Sequence, residues 1–289
     1  MLEIHRLKWS DCLSHQIWPF IKEGWKDEDK KIHFFWGLGG ANVQEIQEVE
    51  RLGEEWWYID VGYITEQITR YPTPKINDIK NTYFRIVKGH IHSQTMAQGN
   101  GDRLKELFMK GINMGVNDWQ NNDGHILLCP SSPTVTQWTN KLSQDEWCKK
   151  MNDVLLEYTD RPIKFRNKPR PGNQWWETDI TDDLEGAYAL VTNMSLSAID
   201  AIRFGIPAFT HIENIASPVS NTDISNINNP MKPNKQIINE WLNCVVENQF
   251  TLNEIGSGLA YEILKRQNED TILSKDRWLA LVRFCMCYD

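Results

Sequence analysis

Strands and helices alternate along these 289 residues in a way that predicts an α/β protein with two domains facing across a cleft. Three observations carry the prediction. Apolar, strand-like runs are interleaved with helical stretches instead of being segregated from them, the pattern of parallel βαβ units. The alternation restarts after the polar stretch Asn117-Asp-Trp-Gln-Asn-Asn-Asp-Gly124. The segment from Tyr188 to His211 reads as a buried strand, a serine-bearing turn, a short helix ended by Gly205 and a second strand opened by Pro207.

In the first half, a polar, Trp-containing segment precedes a strand at Lys31-Ile-His-Phe-Phe-Trp36 and a glycine-rich turn, Gly37-Leu-Gly-Gly40. A helix is predicted from Asn42 to Leu52, with Asn42 and Glu45 spaced as a capping box. Its apolar residues Val43, Ile46, Val49 and Leu52 form one core-facing stripe, and Gly53 ends it. The strand Trp56-Trp-Tyr-Ile59 then leads into Asp60-Val-Gly-Tyr63. Gly37-Leu-Gly-Gly40 falls short of the dinucleotide fingerprint, because Asn42 stands where the third glycine belongs.

In the second half, the strand His125-Ile-Leu-Leu-Cys129 leads into Pro130-Ser-Ser-Pro-Thr134. A capping box, Ser143 with Glu146, opens a helix carrying Trp147, Met151, Val154, Leu155 and Tyr158. The strand Pro162-Ile-Lys-Phe-Arg166 follows, and then the Tyr188–His211 segment. Helical patterns recur at Asn239–Val246 and Ile255–Lys265, with a closing helix over Lys275–Phe284. The expected domains are residues 1–120 and 121–289, the last helix of the second packing back on the first.

Composition narrows the class. A net charge of −8 argues against wholesale polyanion binding. The charge is uneven, however. Between Arg70 and Lys110, eight basic residues (Arg70, Lys75, Lys80, Arg85, Lys88, Arg103, Lys105, Lys110) face three acidic ones, with Tyr71, Tyr83 and Phe84 interleaved. This is either a solvated loop region or a local face for nucleic-acid phosphates. Six scattered cysteines without a C-x-x-C pair read as free thiols in a reducing compartment. No apolar run approaches a membrane span, and the N-terminus lacks a signal peptide's apolar segment, so a cytoplasmic protein is expected.

The chemistry is expected where loops leave parallel strands. In the second half these loops hold Ser131, Ser132, Arg166, Lys168, Asn193, Ser195, Ser197, His211 and Glu213. A helix N-terminus with two serines and nearby cations suits a diphosphate, whose charge must be stabilised as it leaves. Glu213 suits ribose or sugar hydroxyls. The competing readings are that Ser195 caps its helix and that Arg166 makes a surface ion pair. In the first half, Asp60 is the candidate general base, with His90 or His92 in reserve, and a turn former ahead of Gly62 is its alternative role. Gly39, Gly40, Tyr63, Arg85 and Lys88 are the candidate acceptor contacts. No D-x-D ends a strand, so an obligatory metal is not indicated.

The runs Ala189-Leu-Val-Thr-Asn-Met-Ser-Leu-Ser-Ala-Ile-Asp-Ala-Ile-Arg-Phe-Gly-Ile-Pro-Ala-Phe209 and Arg161–Pro169 resemble the donor-binding domain of GT-B-type glycosyltransferases. The likeness covers roughly residues 124–265. With Trp57-Tyr-Ile-Asp-Val-Gly-Tyr63 and Tyr83-Phe-Arg85, the chain is similar to phage DNA glycosyltransferases, which attach sugars to hydroxymethylated pyrimidines. The resemblance implies two Rossmann-like domains and a nucleoside-diphosphate sugar, UDP-glucose above all, bound through Arg166, Lys168, Ser195 and Ser197. It also implies a base from the first domain and a flipped-out hydroxymethylpyrimidine of phage DNA as acceptor, in the infected host's cytoplasm. The acidic net charge departs from what a duplex-binding enzyme carries. A transferase acting on a glycan, glycolipid or polyol phosphate, or a nucleotide-sugar-binding protein without turnover, are the alternatives.

Overall fold

In chain order the elements are β1 (Leu2–His5), α1 (Ser14–Gly24), β2 (Ile32–Trp36), α2 (Asn42–Arg51), β3 (Glu55–Val61), β4 (Ile68–Thr69), β5 (Lys75–Ile76), β6 (Tyr83–Lys88), β7 (Thr95–Met96) and α3 (Asp102–Met109). There follow β8 (Ile126–Leu128), α4 (Pro133–Asn140), α5 (Gln144–Leu156), β9 (Ile163–Phe165), α6 (Ile180–Leu184), β10 (Ala189–Val191), α7 (Ser197–Phe204), β11 (Ala208–Phe209) and α8 (Lys235–Val246). The last are β12 (Gln249–Thr251), α9 (Leu252–Gly256), α10 (Leu259–Gln267) and β13 (Leu273–Ser274). This computed structural model describes the chain apart from residues 6–13, 27–30, 65–67, 70–74, 77–81, 97–98, 113, 170–171, 173, 175–177, 268–272, 275–277 and 279–289. The expected closing helix falls almost wholly outside the described residues.

The chain forms two compact units, Met1–Ile112 with Leu242–Lys275, and Asn113–Trp241 with Asp276–Asp289. This differs from a division at residue 120, because the chain returns to the first unit within α8. The reason is β12, a short strand not evident in the sequence, which pairs antiparallel with β6.

The first unit is a mixed sheet in the order β1-β2-β3-β6-β12. β1, β2 and β3 are parallel, and β6 runs antiparallel to β3. Successive side chains alternate faces. Ile32, Phe34, Trp36, Trp57, Ile59, Phe84, Ile86 and Phe250 therefore share one face, packed on Ile17, Trp18 and Ile21 of α1 and on residues of α9 and α10. Trp25 meets Phe34, Trp57 and Tyr261 edge-on at 4.9, 4.8 and 5.2 Å between ring centroids. Truncating so central a ring costs about 3–5 kcal/mol. A Cβ on Gly24 would lie 1.7 Å from the Ile255 carbonyl, so only glycine lets α1 approach α9 this closely. The opposite face presents Phe35, Trp56, Tyr58, Asp60 and Arg85 toward the α2 side, where Trp56 Nε1 donates to Glu50 at 3.2 Å.

Two local expectations change. The residue before α2 is Ala41, which makes no side-chain cap. Asn42 instead turns its carboxamide inward, donating to the Trp36 and Gly37 carbonyls at 3.0 Å each. The helix expected over Ile255–Lys265 is two helices, α9 and α10, separated at Gly258, whose φ of +85° disfavours any other residue.

The second unit is a parallel sheet in the order β11-β10-β8-β9. Chain order thus starts at β8, moves outward to β9, then returns to β10 on the other side and continues to β11. The reversal between β8 and β10 is a topological switch point. Ile126, Leu128, Ala189, Val191 and Phe209 pack on Trp147 and Leu155 of α5. The Ser143–Glu146 capping box is formed, and Gly205, at φ +86°, ends α7. Tyr158 lies beyond α5 and is exposed, so it does not belong to that helix's core stripe.

Candidate functional site

The switch point of the second unit brings together loops far apart in sequence. Ser131 follows β8 and Asn193 follows β10. The Ser131 N–H donates to Asn193 Oδ1 at 2.9 Å, and the Met194 N–H donates to Ser131 Oγ at 3.0 Å. The Asn193 amide also donates to Asn140 Oδ1 at 2.7 Å. Asn214, wholly buried, donates to the Asn193 and Ser195 carbonyls at 3.0 and 3.2 Å. Ser131, Asn193 and Asn214 are therefore the framework that holds the turn. Asn214 escaped sequence reading; a buried-strand end followed by Asn within three residues of His211 was its only signal.

On this framework α4 and α7 both start at the carboxyl edge. Ser132 precedes α4 with Pro133 as its first residue, and the Ser132 side chain makes no cap. At α7, Ser195 Oγ accepts the Ser197 N–H at 3.3 Å. First-turn N–H groups lack intrahelical acceptors and carry the positive end of the helix dipole. Two buried hydroxyls, Thr192 Oγ1 and Ser197 Oγ, have no hydrogen-bond partner among the described residues. Leaving a buried hydroxyl unpaired costs about 1–3 kcal/mol.

Of the remaining candidates of this unit, Arg166 is engaged inside the fold. Arg166 is buried, and its guanidinium is bound by Asp183 and by Thr178, to Oγ1 at 3.0 Å and to the carbonyl at 3.1 Å. It ties the end of β9 to α6 and to Thr178 ahead of it through a part-buried ion pair, where a donor contact or a surface pair was expected. Lys168 is exposed. His211 stays at the edge through its N–H, which donates to the Asn193 carbonyl at 3.1 Å, and its Nδ1 accepts the Glu213 N–H at 3.3 Å.

In the first unit, Gly37 and Gly40 turn the chain at the end of β2 with φ of +64° and +63°; Gly39 accepts the Asn42 N–H. Beside this turn, register sets Asp60 opposite Arg85 on one face. Asp60 Oδ2 accepts Arg85 Nη2 at 2.9 Å and the Tyr58 hydroxyl at 2.5 Å, and Oδ1 accepts the Val61 N–H at 2.8 Å. Arg85 stands 5.4 Å from the ring centroids of both Tyr58 and Tyr63. Burial opposes its charge, but Asp60 and the two tyrosines hold its pKa above the ordinary value. Burial likewise pushes Tyr63 up to about 12, and burial with Asp60 raises Tyr58. Asp60 itself remains a third exposed.

Lys88 is not part of this cluster. It pairs with Trp57, three residues back along β3 from Asp60, and binds Glu55 at 2.6 Å. The histidines also differ from expectation. His92 is buried, edge-on to Tyr63 at 5.7 Å. His90 Nδ1 lies 3.1 Å from the His92 N–H, 3.0 Å from the His92 carbonyl and 3.0 Å from Gln94 Nε2, so this nitrogen is engaged by its own loop.

The basic window is largely self-neutralised where it is described. Lys105 pairs with Asp102, Lys110 with Glu106, and Arg103 with Glu254. Arg70, Tyr71 and Lys80 lie outside the described residues, as do Cys12, Cys285 and Cys287. Cys129, Cys148 and Cys244 are free thiols. Among the described residues no cluster of three or more His, Cys, Asp or Glu could hold a metal ion, and no helix is long and apolar enough to cross a membrane. No protein-family model matches the chain, and no curated protein matches its sequence.

Proposed function

We propose that the chain is a GT-B-type glycosyltransferase that moves a sugar from a nucleoside-diphosphate donor, UDP-glucose first, to a hydroxyl of 5-hydroxymethylpyrimidine in DNA. The observation that carries the reading is the switch point between β8 and β10, with two helix starts and the orphan hydroxyls of Thr192 and Ser197 beside it. A diphosphate there would receive N–H and O–H donors as its charge grows on leaving. Asp60 is the proposed base, oriented by Arg85 and Tyr58. The acceptor oxygen would form its bond to the anomeric carbon while the bond from that carbon to the diphosphate oxygen breaks; the hydroxyl proton passes to Asp60 and the nucleoside diphosphate departs.

A second reading, a transferase acting on a glycan, glycolipid or polyol phosphate, is favoured by the carboxylate partners of Arg85, Lys88, Arg103, Lys105 and Lys110. Among the described residues these leave little unbalanced positive charge in the basic window for DNA phosphates. Incubation with radiolabelled UDP-glucose and hydroxymethylated DNA separates the two. Label in the DNA supports the first, label only in a glycan supports the second, and donor binding without transfer refutes both.

A further inference from the structure

We infer that Gln249, on the returning strand β12, is the positioning residue for the Asp60–Tyr63 turn, an inference that rests on the proposed use of that turn at the acceptor. Gln249 is wholly buried and directly opposite Arg85 on β6, which is in turn directly opposite Asp60 on β3. The three residues thus form one row across three strands.

The carboxamide closes on the backbone of a single residue. Its Nε2 donates to the Ile64 carbonyl at 3.1 Å, and its Oε1 accepts the Ile64 N–H at 3.0 Å. Two residues earlier, the Gly62 N–H donates to the Tyr83 carbonyl at 2.8 Å. A Cβ at position 62 would come within 2.8 Å of Gln249 Oε1 and 2.9 Å of the Tyr83 carbonyl, so the turn is pressed against both. Tyr63 is therefore fixed from each side, by Gly62 before it and Ile64 after it. Its ring flanks Arg85, the group that orients Asp60. Gln249 is itself anchored, since its carbonyl accepts Arg103 Nη1 at 2.9 Å and Arg103 is bound by Glu254. Only a side chain of this length with one donor and one acceptor can make both bonds to Ile64.

Amide hydrogen exchange of the full chain, with steady-state transfer from UDP-glucose, tests this. In the wild type, the Ile64 N–H should be protected like that of Gly62; rapid Ile64 exchange overturns the inference without any variant. In Gln249→Met, Ile64 exchange should rise about tenfold or more while Gly62 stays protected, because only the carboxamide's bonds are lost. Transfer should lose kcat by about tenfold with the donor KM unchanged, the mark of a misplaced group in the acceptor region. Unchanged Ile64 exchange, or a loss appearing in donor KM, overturns it. A wild type that transfers no sugar refutes the proposed function, yet the exchange measurements still decide the clamp.

Discussion

Asp60 and Arg85 face each other directly across the antiparallel pair β3–β6, with Oδ2 2.9 Å from Nη2. The pairing follows from register alone: both side chains point to the α2 side, and cross-strand partners on one face lie about 4.5–5.5 Å apart at Cβ. Two tyrosine rings and the Val61 carbonyl complete the guanidinium's surroundings. The carboxylate is consequently held in one orientation while a third of it remains open to solvent.

Arg85→Met should destabilise the protein by roughly 2 kcal/mol, measured by urea denaturation. A fully buried pair broken on one side costs about 3–5 kcal/mol, and Asp60's exposure reduces that. Asp60→Asn keeps the shape but leaves the buried Arg85 charge without its carboxylate, so it should lower the denaturation midpoint and still fold, bind donor normally and lose transfer. A fully active Asp60→Asn enzyme removes Asp60 as the base.

Arg166 gives the opposite expectation. Its guanidinium is consumed by Asp183 and Thr178, so Arg166→Met should lower the denaturation midpoint and leave UDP-glucose affinity within about threefold, a change under 1 kcal/mol. Asp183 would be left without its partner, though partly solvated. A tenfold or greater loss of donor affinity in a folded Arg166→Met protein returns Arg166 to the donor site.

These two arginines show what was legible in the sequence. Local patterns identified β2, β3, β8, β10, the Ser143 cap and α7 with its terminal Gly205, because each is set by neighbours within a few residues. The roles of Arg166, Lys88 and Asn193 depend on partners far along the chain, and residue type alone cannot separate a ligand contact from an internal one. Asp183, the partner that redefines Arg166, is 17 residues away in sequence. β12 was invisible for a related reason: three residues carry too little periodicity, and the strand exists because Gln249, Phe250 and Thr251 find β6 as a partner.

Tyr63 predicts an alkaline limit to stability. Burial raises its pKa from 10.0 to about 12 in the folded protein, so the fold favours the neutral phenol. Its contribution is fully present below about pH 10 and is lost as pH rises through 12. Tyr63→Phe should flatten this part of the stability curve. At neutral pH it should cost about 1–3 kcal/mol, since the Ser93 N–H, which donates to the Tyr63 hydroxyl at 2.7 Å, loses its acceptor. An identical alkaline slope in both proteins refutes the assignment.

Thr192 and Ser197 distinguish a ligand site from a purely structural turn. Their hydroxyls are buried without partners among the described residues, so they contribute nothing favourable to the free protein. Thr192→Val and Ser197→Ala should therefore leave the unliganded stability unchanged or raise it by up to about 1 kcal/mol, the reverse of removing a satisfied group. If the diphosphate is what pairs them, each substitution should weaken UDP-glucose binding by about 0.5–1.5 kcal/mol, or up to roughly tenfold in Kd. Calorimetric titration alongside denaturation reads both quantities from the same preparations. Opposite signs in the two measurements mark hydroxyls held for a ligand. Loss of stability with unaltered donor affinity would make them parts of the fold, and the α7 start would then have no claim on the phosphate.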